Sequence, residues 1–284
     1  MQEKEKGIII GNISNTYKIK TDKGTYEAYA RGRFKNEEIT PLVGDVVEIE
    51  IINSDSGIYT DINKANTDEK KKVQTAIIEK IKPRKNEIKR PRMANIDQII
   101  FIISTKNPKP DLLMLDKQLA YVEMLGIEPI IVINKLDLQD TYKDILKLYE
   151  NIGYKTIATS AKQGQGIDEL KKLLNNKISV FSGNSGVGKS SIINALFGIN
   201  KTQEGEISQK NKKGKNTTTD TKLYELMDNT YIADTPGFSS FEINEIESNN
   251  LDKYFRDFKN EIQNCEFVRM YTYQRGKLRN KKCN

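Results

Sequence analysis

Two textures of apolar and polar residues divide this chain. Over residues 7–63, short apolar stretches alternate with polar positions and turn formers, as in "GIIIGN", "TYKIKTDKGTYEAYA" and "GDVVEIEIINSDSGIYTDI". A period of two over so few residues predicts β-strands with one buried face. Asp22-Lys23-Gly24 is placed to turn a hairpin, and Gly44-Asp45 opens another strand. About five such strands in so short a span predict a small closed barrel. The OB-fold is the barrel type most used on single-stranded nucleic acid, and an SH3-like barrel shares the pattern. Residues 1–72 are assigned to this barrel, and residues 73–92, charged and proline-bearing, to a basic linker.

From Ala94 the period changes. Strand "DQIIFIIST" precedes the amphipathic helix "DLLMLDKQLAYVEMLG", strand "EPIIVIN" precedes helix "TYKDILKLYENIG", and strand "YKTIATS" precedes helix "GIDELKKLLNN". The strand "KISVFSG" comes next. Strands alternating with helices predict a parallel sheet with helical crossovers, a doubly wound α/β domain over 93–246. Residues 247–284 are polar, predicted helical at first, and end in a basic tail.

At 284 residues the chain has room for more than one hydrophobic core. Its 46 Lys and Arg against 39 Asp and Glu leave a formal charge of +7. The excess is clumped: "KIKPRKNEIKRPR" (80–92) carries seven basic residues and one acid, and "KNKKGK" (210–215) carries four and none. Clumps of this kind point to a polyanionic partner, with nucleic acid first among them. The opening "MQEKEKG" has no hydrophobic stretch behind it, and runs such as Ile99–Ile103 are far too short for a membrane span. Two cysteines, Cys265 and Cys283, make no disulfide framework. The expectation is a soluble cytoplasmic monomer.

The chemistry lies at strand ends. "ISVF" runs into Gly183-Asn184-Ser185-Gly186-Val187-Gly188-Lys189-Ser190-Ser191 and then an amphipathic helix. This is G-x-x-x-x-G-K-[ST] in a strand–loop–helix setting, whose backbone N–H groups cradle phosphates. Lys189 is placed to reach the β- and γ-phosphates, and Ser190 to bind Mg²⁺. "TYIADTPGF" puts Asp234 after a strand to hold the metal, and the Gly237 N–H to sense the γ-phosphate. Between them, "GKNTTTDT" offers Thr218 to complete the metal shell when the γ-phosphate is present.

Upstream lies Asn134-Lys135-Leu136-Asp137, a guanine-recognition motif. The dipeptide Asn-Lys occurs six times in this Asn- and Lys-rich chain, but only at Asn134 does it end an unbroken apolar strand. Ligands in open α/β sheets bind just beyond such strand ends. The Asp137 carboxylate can accept from the N1–H and 2-amino group of guanine, and adenine offers no such pair. Ser160-Ala161-Lys162 follows the next strand as a second base-binding segment. The set is complete but rotated: base recognition precedes the phosphate loop, as in a G domain cut before its fourth strand and rejoined through helix 168–177.

With these motifs, and with "RGRFKNEEITPLVGD", "PRKNEIKRPRMANIDQ" and "NCEF", the chain resembles the circularly permuted, ribosome small-subunit-dependent GTPases of bacteria (RsgA, also called YjeQ or YloQ). The resemblance covers nearly the whole length. It implies an α/β P-loop GTPase, circularly permuted, behind an OB-fold barrel, with Mg²⁺ as cofactor of GTP and a zinc-binding C-terminal region. It also implies late maturation of the small ribosomal subunit, contact with its rRNA, and GTP hydrolysis stimulated by that subunit. The alternative is a GTP-dependent rRNA-binding switch with little turnover. The family carries a histidine just before the threonine triplet; this chain has no histidine, and Asn216 holds the place. Phe238 stands where many G proteins carry a water-orienting Gln. Asn216, Thr218 and Lys189 are therefore the expected catalytic set, with Asn216 positioning water rather than taking its proton.

The tail departs further. The family pattern Cys-x₄-Cys-x-His-x₅-Cys matches only Cys265, since Met270, Thr272 and Leu278 hold the other ligand positions. Read one base later, Met270-Tyr271 must yield cysteine, Thr272-Tyr273 permits histidine and Leu278-Arg279 permits cysteine. The expectation is a base inserted near the codon for Arg269 that truncated the region, with lineage-specific loss as the alternative. Either way the zinc site is not functional. Metal analysis of the purified 284-residue chain should find no stoichiometric zinc; one zinc per chain would defeat this reading.

Overall fold

The computed structural model describes residues 3–13, 15–32, 34, 39–52, 74–89, 91–138, 142–198, 221–234, 246 and 248–258. The chain divides into two compact units, one made chiefly of residues 1–96 and the other chiefly of residues from Asp97 onward.

The first unit is a closed five-stranded barrel. Strands β1 (Lys4–Ile13), β2 (Thr16–Thr21), β3 (Thr25–Ala30), β4 (Val46–Ile52) and β5 (Gln74–Ile81) close in the order β1-β2-β3-β5-β4. All neighbours run antiparallel except β3 and β5, which pair in parallel from Tyr26 opposite Gln74 to Ala30 opposite Ile78. The inward set is apolar, with Ile9, Ile19, Ala28, Val47, Ile49, Ala76 and Ile78 fully buried. This OB-like barrel meets the sequence expectation, but its fifth strand does not lie where expected. Residues 73–92, read as a linker, hold β5 and then a hairpin of β6 (Glu87–Lys89) and β7 (Arg92–Ala94). The alternation of "QTAIIEKI" was masked by its outward Lys and Glu and by the basic residues that follow. Part of the expected fifth strand, "SDSGIYTDI", lies outside the described residues.

Asp45, fully buried, fixes the β4 entry. Its carboxylate accepts from both Nε and Nη2 of Arg84 at 2.8 Å and from the Leu42 N–H at 2.7 Å. Gly44 beside it has φ +94°, and a Cβ there would lie 2.0 Å from the Ala94 carbonyl oxygen. No side chain fits at this position.

The second unit is built on a six-stranded sheet. Its strands are β8 (Gln98–Ser104), β9 (Glu128–Asn134), β10 (Lys155–Ala158), β11 (Ile178–Ser182), β12 (Leu223–Met227) and β13 (Thr230–Asp234), in the order β10-β9-β8-β11-β13-β12. Strands β8 through β11 pair in parallel. Every residue of β8 and β11 is buried, as is β9 after its first residue, which is why they read as continuous apolar runs. Helices α1 (Leu112–Met124), α2 (Tyr142–Ile152), α3 (Ile167–Leu174) and α4 (Lys189–Leu196) make the crossovers. The Asp111 side chain caps α1 by accepting from the Met114 N–H at 3.0 Å. None of the described helices is long and apolar enough to cross a membrane. A 3-10 segment, Ser248–Tyr254, leads to Arg256. The Arg256 guanidinium ion-pairs with Glu123, donates to the Gly153 carbonyl at 2.8 Å and stacks 4.5 Å from the Tyr154 ring centroid.

Gly44→Ala should lower the stability of the barrel by about 2–4 kcal/mol, because strain at positive φ adds to a backbone clash. A urea midpoint within error of the parent would contradict that.

Candidate functional site

The site assembles at the C-terminal ends of the parallel strands, where open α/β sheets place ligands. Strand β11 delivers the loop 183–188 and then α4. Gly183 packs against β8, where a Cβ would meet the Ile102 carbonyl at 2.6 Å. The turn closes with the Val187 N–H donating to the Asn184 carbonyl at 3.4 Å, and Gly186 and Gly188 adopt φ of +81° and +95°. Helix α4 starts directly after Gly188 with no side-chain cap. A helix N-terminus following a glycine-rich loop is the setting in which phosphate is bound. Lys189 is half-buried at the first helical position, and Ser190 and Ser191 follow it, exposed. Asn184 and Ser185 are also exposed, whereas Val187 is buried.

Strand β9 ends at Asn134, which is 2% exposed. Its side chain binds three separate backbone or side-chain groups. The amide Nδ2 donates to the Val187 carbonyl in the phosphate loop at 3.0 Å, while Oδ1 accepts from the Ala161 N–H at 3.2 Å and from the Thr159 hydroxyl at 3.2 Å. Asn134 therefore fastens the phosphate loop to the segment 159–161, and Val187 takes one of the two N–H groups of its amide. The fit constrains Gly188 as well, since a Cβ there would lie 2.3 Å from the Asn134 Nδ2. The glycine is required by Asn134 as well as by its own backbone angle.

Lys135 turns the chain with φ +67°, and its ammonium donates to the carbonyls of Gly186, at 2.6 Å, and Asn107. The 3-10 turn Leu136–Leu138 presents Asp137, exposed, whose carboxylate accepts from the buried Ser160 hydroxyl at 2.8 Å. A carboxylate offers about four lone-pair sites, so a single hydroxyl orients it without exhausting it. The Ser160 N–H in turn donates to the Gln165 carbonyl at 3.0 Å, closing the loop that carries Ala161 and the exposed Lys162.

The structure thus brings together Asn134, Lys135, Asp137, Ser160, Ala161, Lys162 and residues 183–191. Asp234 is the last residue of β13. Asn216, Thr218, Gly237 and Cys265 lie outside the described residues, as does the Asp234 side chain. Among the described residues no group of His, Cys, Asp or Glu is disposed to hold a metal ion. Thr159 was not singled out from sequence. Its only signal is position: a hydroxyl residue just past the end of β10, beside the end of β9.

Known proteins match this chain in sequence and in fold. The family model of the RsgA GTPase covers residues 81–244, and that of the RsgA N-terminal domain covers residues 6–59. The small ribosomal subunit biogenesis GTPase RsgA of Caldanaerobacter subterraneus subsp. tengcongensis is 37% identical over 267 residues, 93% of this chain and 84% of the relative. The RsgA of Ruminiclostridium cellulolyticum is 39% identical over 264 residues, 92% of this chain and 81% of its own. Among solved structures, YjeQ from Thermotoga maritima aligns with a TM-score of 0.69 at 33% identity, over 89% of this chain and 82% of that one. YloQ, described as a circularly permuted GTPase, aligns with a TM-score of 0.72 at 28% identity, over 94% and 83%.

The carboxylate of Asp137 sets a sharp test. Asp137→Asn replaces an acceptor by a group that also donates, so affinity should move from GTP toward xanthosine triphosphate, with GTP weakened ~100-fold or more. Unchanged GTP affinity by calorimetry would remove Asp137 from the base site.

Proposed function

The chain belongs to the RsgA GTPase family, and from that premise we propose how its residues carry the reaction. It is a GTPase, splitting GTP with water into GDP and phosphate, and it acts in biogenesis of the small ribosomal subunit. The observation that carries the site assignment is the Asn134 side chain, bonded at once to the phosphate loop and to the segment that holds Ala161.

In the proposed complex the guanine lies against Asp137 and the Ser160–Lys162 segment. The triphosphate lies along Gly183–Ser191, with Lys189 on the β- and γ-phosphates and the Gly237 N–H on the γ-phosphate. Ser190, Thr218 and Asp234 are the residues that would hold Mg²⁺. Their hydroxyl and carboxylate oxygens are the hard donors this ion takes, and Ser190 stands exposed in the first turn of α4. When bound, the ion neutralises charge on the β- and γ-phosphate oxygens. Asn216 orients the attacking water, whose oxygen bonds to the γ-phosphorus as the bond to the β-phosphate oxygen breaks. An amide can place a water without removing its proton, and in phosphoryl transfer positioning and electrostatics supply most of the effect.

The partner is proposed to be the small subunit through its rRNA, met in the cytoplasm by a monomer of this chain. The basic clumps at 80–92 and 210–215 support this, and cations on phosphates release counterions. The second reading, a GTP-dependent rRNA-binding switch with little hydrolysis, is favoured by Phe238 and Asn216 standing where water-directing residues are common.

Phosphate release with and without purified small subunits separates the two. Stimulation by at least about tenfold supports the GTPase cycle proposed here. Subunit binding without faster release selects the switch. In both cases binding should weaken steeply as salt rises, and affinity insensitive to salt would remove the rRNA contact.

A further inference from the structure

Just past the end of β8, Thr105 makes a pair of bonds that no nucleotide-binding motif includes. Its N–H donates to the Asn134 carbonyl at 3.1 Å, and its hydroxyl donates to the Lys135 carbonyl at 2.9 Å. One residue thus grips two consecutive carbonyls of the guanine motif. Thr105 is 5% exposed, so its own side of both bonds is shielded from solvent.

The residue it grips is a strained one. Lys135 has φ +67°, a left-handed backbone that is unfavourable for a residue with a Cβ and persists only where its surroundings impose it. The surroundings here are specific. The Leu138 N–H also reaches the Lys135 carbonyl, at 3.0 Å. The ammonium of Lys135 is held by the carbonyls of Asn107 and Gly186. Asn107 is itself kept in place because the Ser104 hydroxyl donates to the Pro108 carbonyl at 2.7 Å, folding residues 104–108 back on themselves. Loop 104–108 therefore holds Lys135 at both ends, the main chain through Thr105 and the side chain through Asn107.

We propose that Thr105 is a positioning residue for guanine-nucleotide binding, acting through the backbone of Asn134 and Lys135 to set the base-reading turn against the phosphate loop. The proposal rests on the guanine-site reading above and adds a residue to it. The hydroxyl is the working group: the main-chain bond to Asn134 would survive any side chain, whereas the bond to the Lys135 carbonyl would not. Loss of the hydroxyl leaves a left-handed residue with one fewer constraint. The bound arrangement then becomes one of several, and apparent affinity falls by the fraction of molecules that keep it. Thr105 touches neither the γ-phosphate nor any reacting atom, so the loss is the same for GDP and GTP. It raises KM and leaves kcat alone, the signature of uniform binding.

The test compares Thr105→Val, which keeps shape and removes the hydroxyl, with Thr105→Ser, which keeps the hydroxyl. Affinities for GDP and a non-hydrolysable GTP analogue are measured on the full chain, with steady-state hydrolysis alongside. T105V is expected to weaken both nucleotides equally by about 3- to 10-fold, the worth of one buried hydrogen bond. T105S should bind within about twofold of the parent. Should T105V fail to fold, Thr105→Ala carries the same expectation against T105S. T105V binding within twofold of the parent overturns the proposal, and so does T105S binding as weakly as T105V, which would assign the effect to packing. A fall in kcat with KM unchanged overturns it too. A parent chain that binds no guanine nucleotide fails the guanine-site reading itself and takes this inference with it, so the two failures are told apart by the parent alone.

Discussion

The loops of the proposed nucleotide site meet on one buried carboxamide. Asn134 donates one amide N–H to the phosphate loop and turns its amide oxygen to the segment that follows β10. A primary amide suits this task because it carries both functions on one rigid plane, and here its three partners come from two different loops. An aspartate could not donate to Val187, and a leucine would deprive the buried Val187 carbonyl and Thr159 hydroxyl of this partner, at a cost of about 1–3 kcal/mol each. The sheet beneath supplies the rigidity. Strands β8, β9 and β11 are buried and in parallel register, so the positions where they release their loops are fixed relative to each other.

That division between a stiff sheet and strained loop ends recurs. Lys135, Gly186 and Gly188 all hold positive φ within a few residues of strand ends, and hydrogen bonds between loops tie them down. Strain of this kind clusters where geometry must be set before a ligand arrives. The barrel uses the same device for a structural end. Gly44 at φ +94° and the buried Asp45–Arg84 pair fix the turn into β4, and the close approach of Ala94 ties the β6–β7 hairpin to it.

Much of this was legible in the sequence, for reasons that differ by element. The parallel strands were readable because burial on both faces leaves an unbroken apolar run, as in Pro129–Ile133. The phosphate loop and the guanine motif were readable because the chemistry admits few residue types at fixed spacing. Their rotated order gave the permutation. Strand β5 was missed because its outward face carries Lys and Glu like the basic stretch after it, so composition hid a period of two. The fold adds a second part for Asn134. The motif says that an asparagine stands there, but only the fold shows that Val187, Thr159 and Ala161 surround it. Thr105 and Thr159 carry no pattern at all. Their hydroxyls matter because of where neighbouring strands end, and sequence spacing does not encode that.

The rotated order has a consequence for how the protein comes into being. A ribosome delivers the chain from its N-terminus, so β8, β9 and β10 emerge before β11 exists. Strand β11 fills the place beside β8, pairing Ser179 with Gln98 through Ser182 with Phe101. Until residues 178–182 are made, the apolar "QIIFIIS" of β8 is an open sheet edge, the kind of surface that recruits other strands. Nucleotide gives no shelter in this interval. A ligand stabilises only the state that binds it, and the loop that would hold the phosphates follows β11 directly. The nascent half that carries Asn134 to Asp137 must therefore wait, with one flank exposed, for the strand that completes it.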